Sequence, residues 1–304
     1  MKERFKKIYH FIKHIIQIFN EQDPVVYAGA IAFFTLFSLP SVLMIIIQSL
    51  GTVLSEDEIR NQLANQISGL IGTASTKEIL TIVENRGWEY SSLIGNIVGV
   101  IFLFVSATAV FNFIQKALNS IWNVKPKQKK VVKRFLIDRL LSFSIIIVIG
   151  FLLMVTLVLD AALSIFKDFL YGLITKDFGI YIVEAANVII SLLIISGIFA
   201  LVFKFLPDAK LKWRDVSVGS LVTGALFMLG KFGIGLILSN SQITSTYGAA
   251  GSLAGILVWV FYSSILVLIG AIFTRVYAEE IGHDIKPQSH AVLVNQPESE
   301  TVDA

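Results

Sequence analysis

Six long apolar segments restrict what this 304-residue chain can fold into. Each is longer than the roughly 20 residues that a helix needs to cross a hydrocarbon core of about 30 Å. Charged residues make up only 15% of the chain, against about 25% in soluble domains, which strongly disfavours a soluble globular protein. The sequence therefore predicts an all-α, polytopic membrane protein with six transmembrane helices. The predicted spans lie near 27–54, 91–121, 136–159, 180–206, 216–239 and 249–277.

The distribution of Lys and Arg predicts the orientation of these spans. Eighteen of these residues lie in the two terminal segments and in the loops after the second and fourth spans, and five lie in the remaining loops. Because cytoplasmic loops carry an excess of Lys and Arg, both termini are predicted to be cytoplasmic. A five-span topology is rejected, since it would place strongly basic loops on both sides of the membrane.

Two segments flank the transmembrane domain, which is predicted at 21–282. Residues 1–20 place apolar side chains at helical spacing among lysines and histidines, which predicts a cytoplasmic amphipathic helix in the membrane plane. Residues 283–304 are polar, with a late acidic bias, and predict a disordered cytoplasmic tail. The outward loops around 55–87 and 163–174 show amphipathic patterns. They predict short helices that either act as packing lids or cover a cavity mouth.

The clearest ionisable residue inside a predicted span is Lys231, which lies eight residues before Ser239. At helical rise this is about 12 Å, a distance that a lysine partly covers by snorkelling. Charged side chains in transmembrane helices face other protein groups or a water-filled cavity. Two interpretations of Lys231 therefore stay open: anchoring or structural pairing, and contact with an internal polar cavity.

Other polar residues complete a candidate substrate path. Asn112, Lys116 and Asn119 recur at i, i+4 and i+7, and this stripe either bonds a neighbouring helix or lines a hydrophilic path. Asp23 and Glu184 suit helix N-termini, and they are also the candidates for proton coupling. The remaining candidates are Asn187, three residues after Glu184, and Asn240 and Tyr247, in the uncharged link between the last two spans.

Several kinds of chemistry have no motif in this sequence. The chain has no cysteine, and HExxH, GxSxG and Walker A patterns do not occur in it. His10 and His14 share a helical face, but two histidines without a nearby acid make a poor metal site. The basic stretch 125–139 lacks the interleaved aromatic residues of a single-strand nucleic-acid platform. The sequence thus predicts no enzyme, no cofactor, no metal site and no nucleic-acid partner.

Two groups of residues carry a resemblance to a known family. The first is the run from Asp23 to Pro40, DPVVYAGAIAFFTLFSLP. The second consists of Trp213-Arg214-Asp215, Gly219, Lys231, Tyr247–Ser252, Trp259, Tyr262 and Leu268–Thr274. Taken together, these motifs resemble the YihY/BrkB family of bacterial inner-membrane proteins over roughly residues 5–282.

The resemblance implies a six-span protein of the bacterial inner membrane and cell envelope. Some family members carry an inherited ribonuclease label, and others are linked to virulence or envelope lipid handling. No catalytic constellation for a ribonuclease is found in this sequence, so that activity is not expected. Members often have an acidic residue just after the Gly-Ala of the last span, where this chain has Ile272. Arg275 and Glu279 lie one and two turns further on.

Three functions are weighed on this basis. The favoured hypothesis is a transporter or flippase-like protein for a lipid or another amphipathic anion, with Lys231 neutralising the anionic head group. The alternative is a non-transporting envelope scaffold or assembly factor. Its partners would be membrane lipids together with envelope proteins or a second copy of the chain. An intramembrane enzyme is the least favoured hypothesis, because it needs an acid and a base within hydrogen-bond reach.

Overall fold

The computed structural model describes part of the chain. The described residues are 2–50, 61, 64, 68, 76–77, 80–81, 109–127, 176–240 and 249–294. The predicted span near 136–159, residues 91–108 of the span before it, and Tyr247 lie outside the described residues. So do most of the two outward loops, although the isolated described residues between 61 and 81 are all helical.

Helices dominate the described residues. α1 covers Lys2–Gln22, α2 covers Pro24–Leu50, and residues 109–121 form a further helical segment. The remaining helices are α3 (Lys176–Phe205), α4 (Trp213–Asn240) and α5 (Ala249–Glu280). The segments predicted as spans at 27–54, 180–206, 216–239 and 249–277 overlap the helices α2, α3, α4 and α5. Within the described residues, the stretches Val188–Phe205 and Leu253–Glu280 are long and apolar enough to cross a membrane, and Pro24–Ser38 is a shorter apolar helix.

Two turns at helix ends depend on residues that tolerate the left-handed conformation. Asp23 separates α1 from α2 and has a φ of 45°, and Asn123 follows the helical segment 109–121 with a φ of 51°. Asp and Asn adopt this conformation at low cost because their short polar side chains bond locally. The carbonyl of Asp23 also accepts a hydrogen bond of 3.1 Å from the backbone of Val26 in the first turn of α2. These turns set where the adjoining elements begin.

Two short antiparallel strand pairs hold the C-terminal segment. β1 (Val124–Pro126) pairs with β4 (Ala291–Leu293), and β2 (Ala209–Lys210) pairs with β3 (Lys286–Pro287). This corrects the predicted disordered tail over 283–304 for the strands β3 and β4. The physical reason is that their partners lie far away in sequence, so a polar local composition does not reveal the pairing.

The chain divides into two compact units, and both α4 and α5 contribute to each. The first unit consists of Met1–Gln22, Gln115–Gly224 and Gly270–Ala304. Its core includes Trp122 and Phe203, whose rings meet edge to face at 6.0 Å. In this unit α1 packs against α5, with a T-shaped contact of 5.4 Å between Phe11 and Phe273.

The second unit consists of Asp23–Ile114 and Ala225–Ile269. Phe34 stacks on Phe113 at 5.3 Å, and Phe227 meets Trp259 edge to face at 6.3 Å. Such aromatic pairs contribute beyond the area that they bury. They join α2 to the helical segment 109–121, and α4 to α5.

Within the first unit, α4 and α5 cross through two reciprocal glycine–threonine contacts. A Cβ atom on Gly219 would lie 2.7 Å from the Cβ of Thr274, and one on Gly270 would lie 2.7 Å from the Cβ of Thr223. Both threonines are fully buried, and each hydroxyl bonds the carbonyl four residues earlier on its own helix at 2.7 Å. Small residues of this kind let helix backbones approach closely. The paired spacing therefore fixes the register of the antiparallel crossing.

Candidate functional site

The first unit contains a buried carboxylate, Asp208, in the link between α3 and α4. It is 3% exposed. Asn119 donates to its Oδ2 at 2.8 Å, and the backbone N–H of Asp208 donates to the Oδ1 of Asn119 at 2.8 Å. The Nε2 of His290 lies 2.8 Å from the second carboxylate oxygen. Buried charges require such partners, so this arrangement stabilises the link in one geometry.

The same carboxylate residue also joins the C-terminal segment through its backbone. The N–H of Gln288 donates to the carbonyl of Asp208 at 2.9 Å, and its side-chain amide donates to the carbonyl of Pro207 at 3.1 Å. The N–H of Val294 donates to the carbonyl of Asn123 at 2.8 Å. The helical segment 109–121, the α3–α4 link and the C-terminal strands thus meet at one polar cluster.

A second buried carboxylate, Asp215, lies in the first turn of α4 and is 1% exposed. Its Oδ2 is 3.3 Å from the Nδ1 of His283, which comes shortly after the end of α5. Its Oδ1 accepts no hydrogen bond from the part of the chain that the structure describes. Gly282 approaches closely here, because a Cβ on it would lie 2.8 Å from the carboxyl carbon of Asp215.

Arg275 on α5 links the end of the helical segment 109–121 to the last turns of α5. Its Nη1 donates to the carbonyl of Ile121 at 2.6 Å, and its Nε donates to Glu279 at 2.8 Å. The carboxylates of Glu279 and Glu280 lie 3.7 and 3.1 Å from the ring nitrogens of His14 on α1. Arg275 and Glu279, one and two turns beyond Ile272, are therefore engaged with each other, with the end of the helical segment 109–121 and with the middle of α1. Ile272 itself is fully buried.

Replacing Arg275 by lysine is expected to lower stability by about 2 kcal/mol, although the charge is retained. A lysine ammonium is a single point donor, so it cannot reproduce the planar fork that reaches both Ile121 and Glu279. The unfolding midpoint of the detergent-solubilised chain measures this loss. Glu279→Gln serves as the control, since its side chain is 35% exposed and its pair with Arg275 is expected to contribute at most about 1 kcal/mol. Equal midpoints for Arg275→Lys and the unmodified chain would contradict the expected role.

The residues predicted to line a substrate path differ in burial where the structure describes their side chains. Lys231 on α4 and Asn112 are exposed, and no hydrogen bond or ion pair joins them within the described residues. Lys116 is exposed as well, whereas Asn119 from the same stripe is buried against Asp208. The predicted stripe is therefore split between an exposed part and a structural part.

The other predicted site residues are described to different extents. Asp23 is exposed at the turn between α1 and α2. Glu184 and Asn187 lie on α3 and Asn240 ends α4, but their side chains lie outside the described set, as does Tyr247. Sequence reasoning missed Asp208, His283 and His290. The only signal for Asp208 was its place next to Pro207 in an otherwise basic link.

The sequence of this chain matches a known family of proteins. A family model described as Virulence factor BrkB matches residues 15–293 of this chain. The class of protein is a membrane protein, as the long apolar helices indicate and as the names of its relatives state. The chain belongs to the Virulence factor BrkB family.

Curated relatives extend the same similarity. A UPF0761 membrane protein of Psychrobacter sp. (strain PRwf-1) is 24% identical over 269 residues, which is 86% of this chain and 47% of the relative. One from Idiomarina loihiensis is 24% identical over 274 residues, covering 90% of this chain and 92% of the relative. One from Photobacterium profundum is 28% identical over 255 residues, covering 83% and 76%.

The relatives differ from this chain in length. The chain spans 47% of the Psychrobacter relative and 60% of a further one from Teredinibacter turnerae. No solved structure matches this chain.

Proposed function

We propose that this membrane protein is a transporter or flippase-like protein for a lipid or another amphipathic anion of the cell envelope. The observation that carries the proposal is the exposed side chain of Lys231 within the otherwise apolar second half of α4. The neighbouring Gly230 is buried, and a Cβ on it would lie 2.8 Å from the hydroxyl of Tyr262 on α5. The described part of α5 thus packs against Gly230 and leaves the ammonium of Lys231 uncovered.

An exposed lysine at this depth favours contact with a ligand or water over a buried structural pair. Charged side chains in transmembrane helices face water-filled cavities or partner groups, and an ammonium is a compact charge that pairs with phosphate. Asn112 and Lys116 add exposed polar groups one turn apart on the helical segment 109–121. The proposed path also includes Asp23, Glu184, Asn187, Asn240 and Tyr247. Movement through it is downhill or coupled to an ion gradient, since the sequence contains no Walker A motif.

Replacing Lys231 by alanine is expected to weaken retention of anionic lipid and to slow its translocation by about tenfold, which corresponds to about 1.4 kcal/mol of lost interaction. Native mass spectrometry of the protein released from its own membrane measures retention. Dithionite quenching of a fluorescent phosphatidylglycerol in reconstituted vesicles measures translocation. Lys125→Ala is the matched control, because Lys125 is exposed on β1 and its loss removes the same charge.

The transport proposal predicts different results for Lys231→Ala and Lys125→Ala. Retention and translocation should fall in Lys231→Ala and stay unchanged in Lys125→Ala. If Lys231→Ala retains and moves lipid at the rate of the unmodified chain, the path through Lys231 is wrong. An unmodified chain without any translocation would contradict the transport function as a whole.

A non-transporting scaffold is the second candidate, and exposed apolar groups on α1 favour it. Ile8, Ile12 and Ile16 recur every four residues and are each at least half exposed. The polar groups around Asp208 are satisfied by one another, as in a structural joint. A scaffold predicts stable protein partners or self-association, without flux. Photo-crosslinking from position 12 in cells tests this, and crosslinks only to lipid would count against it.

We propose that the protein is not an enzyme, although the described residues contain two acid–base pairs. Asp208–His290 and Asp215–His283 each bring a carboxylate and an imidazole together, at 2.8 and 3.3 Å. Both carboxylates are buried and belong to the joints that hold the C-terminal segment. We therefore propose that these pairs are structural.

A further inference from the structure

Four exposed cations lie close together around the start of α4. Lys210 on β2 and Lys286 on β3 are direct cross-strand partners in the antiparallel pair. Opposite residues in such a pair place their side chains on the same face, and like charges there are destabilising. Lys212 follows Lys210 with the buried Leu211 between them, and Arg214 comes in the first turn of the helix. We name Lys210, Lys212, Arg214 and Lys286 the cationic platform.

The four cations of the platform make no ion pair with the residues that the structure describes. Three carboxylates lie within two residues of the platform in sequence: Asp208, Asp215 and Asp284. Asp208 and Asp215 are buried and oriented towards His290 and His283. Asp284 is exposed, and no ion pair joins it to the platform within the described residues. Membrane topology accounts for basic residues in this link, but it does not require two lysines to face each other across a strand pair. An external anion would offset this repulsion.

Exposed aromatic rings border the platform. Phe205 and Trp213 are 45% and 51% exposed, and their rings meet edge to face at 6.0 Å. The Nζ of Lys204 lies 5.5 Å from the centroid of the Trp213 ring and donates to the carbonyl of Leu211. Lys204 thus contacts the aromatic pair on the ring of Trp213. Phe205 ends the apolar stretch that begins at Val188, so these rings lie where a long apolar helix stops.

We propose that the cationic platform binds the head group of an anionic phospholipid of the bilayer. The four cations match the phosphate and its negative charge, and the exposed rings of Phe205 and Trp213 match the boundary between head groups and acyl chains. Aromatic residues concentrate at that boundary, and clustered Lys and Arg beside a membrane helix attract anionic lipids. The adjacent apolar surface favours a lipid over free phosphate as the source of the anion.

This binding site does not depend on the proposed transport. The platform belongs to the first unit, and Lys231 belongs to the second. A lipid bound at the platform would stabilise the first unit whether or not any substrate moves. The two proposals are separate if Lys231→Ala loses translocation but binds lipid normally at the platform. They are also separate if a platform variant loses lipid binding but translocates normally.

The test uses the full chain in detergent, titrated with phosphatidylglycerol or with phosphatidylcholine and followed by native mass spectrometry. The unmodified chain is expected to bind phosphatidylglycerol about tenfold more tightly than phosphatidylcholine. The double variant Lys212→Gln/Arg214→Gln is expected to lose about tenfold in binding of phosphatidylglycerol only. Lys6→Gln/Lys7→Gln is the matched control, since it removes the same charge from exposed positions on α1.

Three further observations decide the outcome. Trp213→Ala should weaken phosphatidylglycerol binding, and Trp213→Phe should keep most of that binding. Inorganic phosphate should not compete with the lipid. Competition by inorganic phosphate at millimolar concentration would overturn the lipid assignment in favour of a simple anion site. Equal losses in the double variant and in the α1 control would overturn the platform itself, because net charge alone would then explain the binding. If the double variant does not stay folded, the Trp213 pair of variants carries the test.

Discussion

Replacing Gly219 by alanine is expected to lower the stability of the folded chain by about 1–3 kcal/mol, although it adds a single methyl group. The new Cβ would lie 2.7 Å from the Cβ of Thr274, which is fully buried in the crossing of α4 and α5. Neither helix can yield without breaking the reciprocal contact of Gly270 with Thr223. The unfolding midpoint in detergent, measured by fluorescence-detected gel filtration after heating, reports the loss.

Two further variants show whether the loss comes from the crossing. Gly233→Ala is the control on the same helix, because nothing lies within 4 Å of a Cβ there. It is expected to leave stability unchanged or to raise it by up to about 1 kcal/mol through helix propensity. The double variant Gly219→Ala/Thr274→Gly should recover part of the lost stability by returning the space. If Gly219→Ala leaves the unfolding midpoint unchanged, the helices separate more easily here than the structure indicates.

Replacing Asn119 by alanine is expected to cost about 3 kcal/mol or more, because it removes two bonds to one buried residue. The carboxylate of Asp208 would lose its amide donor, and the backbone N–H of Asp208 would lose its acceptor. Neither group can reach water without opening the joint. The C-terminal strands should therefore loosen together with the α3–α4 link.

Hydrogen exchange followed by mass spectrometry measures this loosening locally. The amides of Gln288 and Val294, which are bonded to Asp208 and Asn123, should exchange faster in Asn119→Ala than in the unmodified chain. Ser217→Ala is the control, since its hydroxyl is exposed and bonds only the carbonyl of Trp213 in its own helix. A change of less than about 0.5 kcal/mol is expected there. Unchanged exchange at residues 286–294 in Asn119→Ala would contradict the role given to Asp208.

The helices were predictable because their signals are local. Apolar residues at helical spacing mark α1, and long apolar runs mark α2, α3, α4 and α5 within a few residues of their ends. Lys231 was found as the exception in such a run. The packed face of α1 was predictable as apolar, but its partner was not, since Phe273 lies at the other end of the sequence.

The polar joints were not predictable because each needs residues from distant parts of the chain. Asp208 is 89 positions from Asn119 and 82 from His290. In sequence, His283 and His290 stand in a polar segment with two prolines nearby, which is typical of a disordered tail. Strands of two or three residues carry no periodic signal. The split of the stripe Asn112, Lys116 and Asn119 likewise follows from tertiary packing, because spacing fixes a shared helix face but not what covers it.

The first unit brings together the earliest, middle and latest residues of the described chain, and this imposes an order on biosynthesis. His14 meets Glu280 across 266 positions. While the ribosome is still translating the segments between them, the packing face of α1 has only lipid or a chaperone to cover it. Contacts of such sequence separation form late. A nascent chain that stalls before residue 270 would leave Asn119 and Asp208 without the C-terminal strands. Such a chain would present the polar groups of this joint to water, which the complete first unit buries.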